Sequence, residues 1–165
     1  MTPGAAILLG LLAQAPTVPV PAHDVRPLTA EESEALPRGD GRDAVAAMCV
    51  PCHGILHAIA QRKTATGWAA TIDDMRTNKG AQGTDDQADA VKAYLAKFFL
   101  AIDVNTATAK AIVDVAGFNA EEAAAIVAYR DAGNTFKSFA DVRKVPGLDP
   151  KRLAAARPRI VYAPK

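Results

Sequence analysis

The sequence of 165 residues is poor in cysteine, histidine and aromatic side chains. It has two cysteines, three histidines and one tryptophan. Both cysteines fall in one stretch of five residues, so no disulfide framework spans the chain. Aromatic residues make up 5% of the sequence, and alternation of β-branched residues is scarce. Alanine dominates an apolar fraction of 50%, a composition that favours helices. An excess of one charge is also missing. The formal net charge is +1, so the chain as a whole gives no charge signal for nucleic acid. No Ser/His/Asp set, phosphate loop or paired-carboxylate cleft is legible. The one continuous apolar run, Ala5 to Ala13, is too short for a comfortable membrane span.

What charge there is lies unevenly. Residues 1–102 carry 9 basic and 11 acidic side chains, and residues 103–165 carry 10 and 7. Within 137–165 the count is 8 basic against 2 acidic, Asp141 and Asp149, so the C-terminal end is locally positive.

The two cysteines belong to Cys49-Val50-Pro51-Cys52-His53, a C-x-x-C-H sequence. This is the attachment pattern of a c-type haem: two thiols add to the vinyl groups and the adjacent imidazole binds the iron. Residues three apart share a helix face, so both sulfurs can meet one porphyrin edge. Two other readings stay open. A C-x-x-C pair also occurs as a redox dithiol, though the strand-loop-helix context of that motif is absent. A zinc site would need an unusual Cys2His2 set drawn from His23, His53 and His57.

Covalent haem attachment implies export, and residues 1–15 are expected to be a signal peptide, with Ala13-Gln14-Ala15 as a small-x-small cleavage pattern. No Lys or Arg precedes the apolar run, and Pro16 would be the first mature residue, so cleavage after Ala22 or an uncleaved anchor are the alternatives. Residues 16–37, with five prolines and Glu31, Glu32 and Glu34, are expected to be a flexible tether.

Beyond it the pattern predicts three helices. One opens at Asp40 or Gly41 and runs into the cysteine motif. A second, Gly67–Asn78, is capped by Thr66 and places Trp68, Ile72 and Met75 on one face. A third opens with a Thr84/Gln87 capping box and carries Ala88, Val91, Tyr94, Leu95 and Phe98 as an apolar stripe. Gly54–Ala65 reads as a basic loop containing Arg62 and Lys63.

The order helix, C-x-x-C-H, Gly67-Trp68, Met75, Tyr94-Leu95 over residues 38–100 resembles the class I cytochrome c fold, and particularly the small monohaem cytochrome subunits of periplasmic dehydrogenases. The resemblance implies one covalently bound haem c, held by Cys49, Cys52 and His53, and a sixth ligand that is usually Met. Met1 lies in the signal region and Met48 directly precedes Cys49, which leaves Met75. His57 is the competing ligand, and His23 lies in the tether. Arg62 and Lys63 are candidates for a haem propionate. His/Met ligation favours ferrous iron and closes the site to other ligands.

Residues 103–162 contain a repeat with an offset of 30: Ile112, Val115, Gly117, Phe118 and Ala120 align with Val142, Val145, Gly147, Leu148 and Pro150. Each copy reads helix, Gly-containing hairpin, helix. Asn119 with Glu122, and Asp149 with Pro150, open the second helices. Together with Val104-Asn105-Thr106-Ala107-Thr108 and Ile126 to Arg130, this segment resembles the ComEA-type helix-hairpin-helix domain. In that family the hairpin reads G-I-G, and its backbone N–H groups bind a DNA phosphate. Here Gly117-Phe118-Asn119 and Gly147-Leu148-Asp149 lack the second glycine, and Asp149 sets a carboxylate where a phosphate would dock. Lys144, Lys151, Arg152, Arg157 and Arg159 remain as attractors for a polyanion or an acidic redox partner.

The expectation is therefore an all-α chain in two parts, a small cytochrome c domain followed by a tandem helix-hairpin-helix domain. It would be an exported, periplasmic one-electron carrier rather than an enzyme, with a dehydrogenase or terminal acceptor as redox partner. A DNA-binding protein of the competence type carrying a haem domain is the alternative. A haem sensor or peroxidase with a labile sixth site is a third reading.

Overall fold

The computed structural model describes residues 26–163. The expected signal segment, His23 and the first part of the tether lie outside them. The described chain is mostly helical, with one small parallel pair of two-residue strands.

The first helix is α1, Ala30–Ala35, inside the segment expected to be a flexible tether. Its cause is local. Thr29 and Glu32 form a capping box, so two backbone donors at the helix start are satisfied reciprocally. Leu36, at its end, is buried. The proline count of residues 16–37 concealed this four-residue signal.

Helix α2, Arg42–Cys49, starts at Gly41 and crosses α5, Asp85–Phe98. Gly41 has φ +89°, and a Cβ there would lie 2.5 Å from the Ala90 carbonyl oxygen. Only glycine suits both the left-handed backbone and the close approach of the two helices. The Thr84/Gln87 box opens α5 as its sequence predicts. Tyr94 on α5 reaches back and donates to the Pro37 carbonyl at 2.6 Å.

Between α2 and α5 come α3, Ile55–Ala60, and α4, Ala65–Asn78. Two expectations are corrected here. Gly54–Ala65 is not simply a loop, because Ile55 and Ile59, one helical turn apart, are both buried and order α3. The cap of α4 is Thr64, whose hydroxyl accepts from Gly67 N, and not Thr66. These five helices close one apolar core around Val45, Trp68, Ile72, Val91 and Leu95.

The chain leaving α5 is hydrogen-bonded on both edges. Lys63 N donates to Phe99 O at 3.4 Å and Lys63 O accepts from Ala101 N at 2.8 Å. Strand β1, Ile102–Asp103, then pairs in parallel with β2, Ile160–Val161.

A second core, built on Val104, Ile112, Ile126, Phe136, Val142 and Leu153, lies beyond this crossing. It is enclosed by α6, Ala109–Ala111, which continues as one wider helical stretch over Ile112–Ala116, then by α7, Ala120–Asp131, α8, Phe139–Val142, and α9, Pro150–Ala156. The caps predicted at Asn119 and Asp149 are present. Buried Asn105 ties the module together: its side chain accepts from Phe136 N at 2.9 Å and donates to Phe136 O at 2.8 Å.

Candidate functional site

The cysteine motif sits where α2 ends. Pro51 lacks an N–H and cannot extend the helical ladder. Cys52 N and His53 N both turn back to Cys49 O at 3.4 Å, so a last loose turn presents the three side chains. Cys49 is partly buried, and Cys52 and His53 are exposed. Burial, with a smaller contribution from Cys52, pushes the Cys49 thiol up to about 11. A thiol raised that far is a poor nucleophile at neutral pH.

His53 Nδ1 lies 3.0 Å from Gly54 O. A carbonyl can only accept, so the contact is a hydrogen bond when Nδ1 carries the proton. Nε2 is then the free donor atom of the ring.

Two adjoining cavities of about 80 and 430 Å³ share Cys49, His53, Ile72 and Met75 as lining. Met75 comes from α4 and lines both cavities together with Cys49 and His53. The four residues the sequence singles out, Cys49, Cys52, His53 and Met75, therefore line one connected depression. Its larger part is walled by Leu56, Trp68, Ile72 and Leu95, so it is mainly apolar, and its size falls in the range of ligand pockets, roughly 300–1,000 Å³. Trp68 is buried, with its indole N–H donated to Phe99 O at 3.0 Å, so it forms wall rather than ligand.

The remaining candidates divide. Met48 is buried under Gly83 and borders only the smaller cavity. His57 is exposed on α3 and lines the larger one. Lys63 lines it too, with Nζ donating to Thr71 Oγ1 at 2.7 Å. Arg62 is not part of the lining: it donates to Phe98 O at 3.3 Å and lies over the Phe99 ring. Among the described residues, no group of three or more His, Cys, Asp or Glu converges as a metal cluster would. A haem fits the residues present: two thiols three residues apart, an imidazole, and a thioether on the lining of the same apolar crevice.

One lining residue escaped the sequence reading. Glu32 is 3% exposed and borders the larger cavity. Its carboxylate accepts from Arg26 at 2.7 and 2.8 Å, from Thr29 N at 3.0 Å and from Ile55 N at 3.1 Å. The Arg26 hydrogen bond, followed by the backbone donors, holds it far below the usual carboxylate range. The Thr29-x-x-Glu32 box was the available signal.

The second module presents two matched hairpins. Gly117 and Gly147 both have φ +83°, at equivalent positions of the repeat. Between the hairpins lies buried Glu122. Its carboxylate accepts from Asn119 N at 2.9 Å, from Asp149 N at 2.8 Å and from Arg152 Nε at 2.8 Å. One carboxylate thus takes the N–H at the second-glycine position of both hairpins. Desolvation pushes its pKa up, but the two backbone donors and Arg152 outweigh that and leave it lowered. Asp149 caps α9 through Arg152 N.

The basic residues are largely engaged. Lys144 pairs with Asp141 at 2.7 Å, Arg152 with Glu122, and Arg157 lies over the Phe139 ring. Arg159 donates to Val115 O at 3.4 Å, and Lys151 is exposed. The offset of 30 sets Glu122 opposite Arg152 in the repeat, and that complementary charge was the sequence signal for the link.

Residues 99–161 match the family model described as a helix-hairpin-helix motif. No curated protein and no solved structure matches the chain.

Proposed function

We propose that the chain is an exported one-electron carrier in which residues 38–100 hold one haem c and the helix-hairpin-helix module, residues 103–162, docks it on a redox partner. The observation that carries this reading is the shared lining of Cys49, His53 and Met75 in one apolar cavity. Cys49 and Cys52 would anchor the group by thioether bonds, and His53 Nε2 and the Met75 sulfur would hold its iron. When bound, the haem supplies reversible one-electron chemistry at iron. The chain's own part is to hold and shield it. With its proton on Nδ1, His53 donates to Gly54 O at 3.0 Å, which would leave Nε2 for the iron. Ile72, Trp68 and Leu95 would set apolar surface against the group, which tunes a bound metal's potential. Lys63, on the cavity wall, offers a cation to a carboxylate of the group. Export rests on the apolar run at 5–13 and on the needs of covalent attachment.

The test is attachment. The chain produced in a host with an export-coupled haem lyase should carry a haem that survives denaturing electrophoresis, and Cys49→Ser with Cys52→Ser should lose it. A chain whose mass equals that of the bare polypeptide refutes the reading.

A second reading, an extracytoplasmic duplex-binding protein of the ComEA type carrying a haem domain, is favoured by the helix-hairpin-helix match. It needs the hairpin N–H groups, which Glu122 takes. Salt-sensitive duplex binding that weakens in Lys151→Gln supports it, and no binding at low salt removes it.

A further inference from the structure

We propose that Glu32 is a positioning residue for His53, acting through the Gly54–Ile55 peptide. The proposal deepens the haem reading and rests on it for its redox consequence.

The geometry is a short relay. The Gly54 carbonyl and the Ile55 N–H belong to one planar peptide unit. The N–H donates to Glu32 Oε1 at 3.1 Å, and the carbonyl lies 3.0 Å from His53 Nδ1. A carboxylate, a peptide and an imidazole are therefore linked end to end. The His53 side chain is exposed, and a contact to the next residue's carbonyl would by itself leave the ring free to turn. The peptide does not turn, because its N–H is held by a carboxylate that is itself fixed by Arg26 and Thr29. Glu32 is fixed in turn by α1, which packs on α3.

Two effects follow from the sign of the charges. The carboxylate polarises the peptide, so the Gly54 oxygen becomes a stronger acceptor. A stronger acceptor at Nδ1–H holds the ring in the tautomer with Nε2 free and raises the donor strength of Nε2. Increased donation favours the higher oxidation state of a bound metal. Glu32 would thus lower the reduction potential of a haem held by His53 through the Gly54–Ile55 peptide, and the N-terminal helix would become part of the redox centre.

The experiment compares the full chain, as purified from an exporting host, with its Glu32→Gln and Arg26→Gln variants. Circular dichroism checks that each is folded. The first readout is the His53 Nδ1–H signal by proton and nitrogen NMR. In the parent chain the Nδ1–H form should dominate, with a downfield proton. Glu32→Gln should move that proton upfield or raise the share of the Nε2–H form. In Arg26→Gln the carboxylate remains, so the Nδ1–H form should persist. The second readout is the midpoint potential of the haem-loaded protein, which should rise in Glu32→Gln with the Met75 charge-transfer band retained. An unchanged His53 signal in folded Glu32→Gln overturns the relay, whether or not the chain carries haem. A shifted signal with an unchanged potential overturns the redox consequence. A parent chain without haem would remove the proposed function instead, and the NMR comparison would still decide the relay.

Discussion

Removing the Glu122 carboxylate should loosen the helix-hairpin-helix module and leave the cysteine-bearing module intact. The magnitude follows from its partners. Glu122→Ala strips the acceptor from Asn119 N and Asp149 N, and an unsatisfied buried donor costs about 1–3 kcal/mol. Both groups border an open groove lined by Asn119, Gly147 and Asp149, so water can reach them and the low end applies. The Arg152 side chain is 46% exposed and returns to solvent at little cost. The expected loss is about 2–4 kcal/mol, against about 1–2 kcal/mol for Glu122→Gln, which keeps one acceptor oxygen. Hydrogen exchange on the full chain can localise it: peptides from 109–156 should exchange faster, roughly 30-fold or more in Glu122→Ala, while those from 42–98 hold their protection. A loss below about 0.5 kcal/mol, the level of an ordinary surface change, would refute the clamp. So would equal loosening of both modules.

The same carboxylate sets a pH dependence. Its folded pKa lies below the ordinary value, so its contribution is fully present above the ordinary carboxylate range and is lost as pH falls through the lowered pKa. Acid unfolding of residues 109–156 should therefore begin below about pH 4 and flatten in Glu122→Gln, measured by circular dichroism against pH. Gly41→Ala should destabilise the α2–α5 crossing by roughly 3 kcal/mol or more, through the positive φ and the contact at 2.5 Å, read as a lowered urea midpoint. In the chain without haem at neutral pH, iodoacetamide should label Cys52 well before Cys49, whose thiol is partly buried and raised; equal labelling by mass mapping contradicts the packing.

What the sequence made legible was local. The Thr84/Gln87 box and the Asn119/Glu122 box each act within a few residues, and both are present where the sequence places them. The helix-hairpin-helix repeat was legible because its two copies repeat the same apolar positions. The links that complete each site were not. Glu32 reaches Ile55 across 23 residues, a distance at which neither propensity nor periodicity carries a signal, and Glu122 reaches Asp149 across 27, marked only by the complementary charges of Glu122 and Arg152 in the repeat. The pairing of β1 with β2 joins Ile102 to Ile160, and strands of two residues leave no alternating pattern to read. Residues 30–35 of the expected tether were missed for a related reason: prolines are a compositional feature, whereas the capping box that orders α1 is a positional one.

The central claim is that Cys49, Cys52, His53 and Met75 hold one redox-active haem. It is tested most directly by the absorption spectrum of the purified exported chain, taken with and without reductant and repeated on Met75→Ala. The account predicts a reversible spectral change in both proteins and a methionine-to-iron charge-transfer band in the oxidised parent that is missing from Met75→Ala. Persistence of the band in the variant would contradict the ligand assignment, and a chain with no haem absorption would contradict the claim itself.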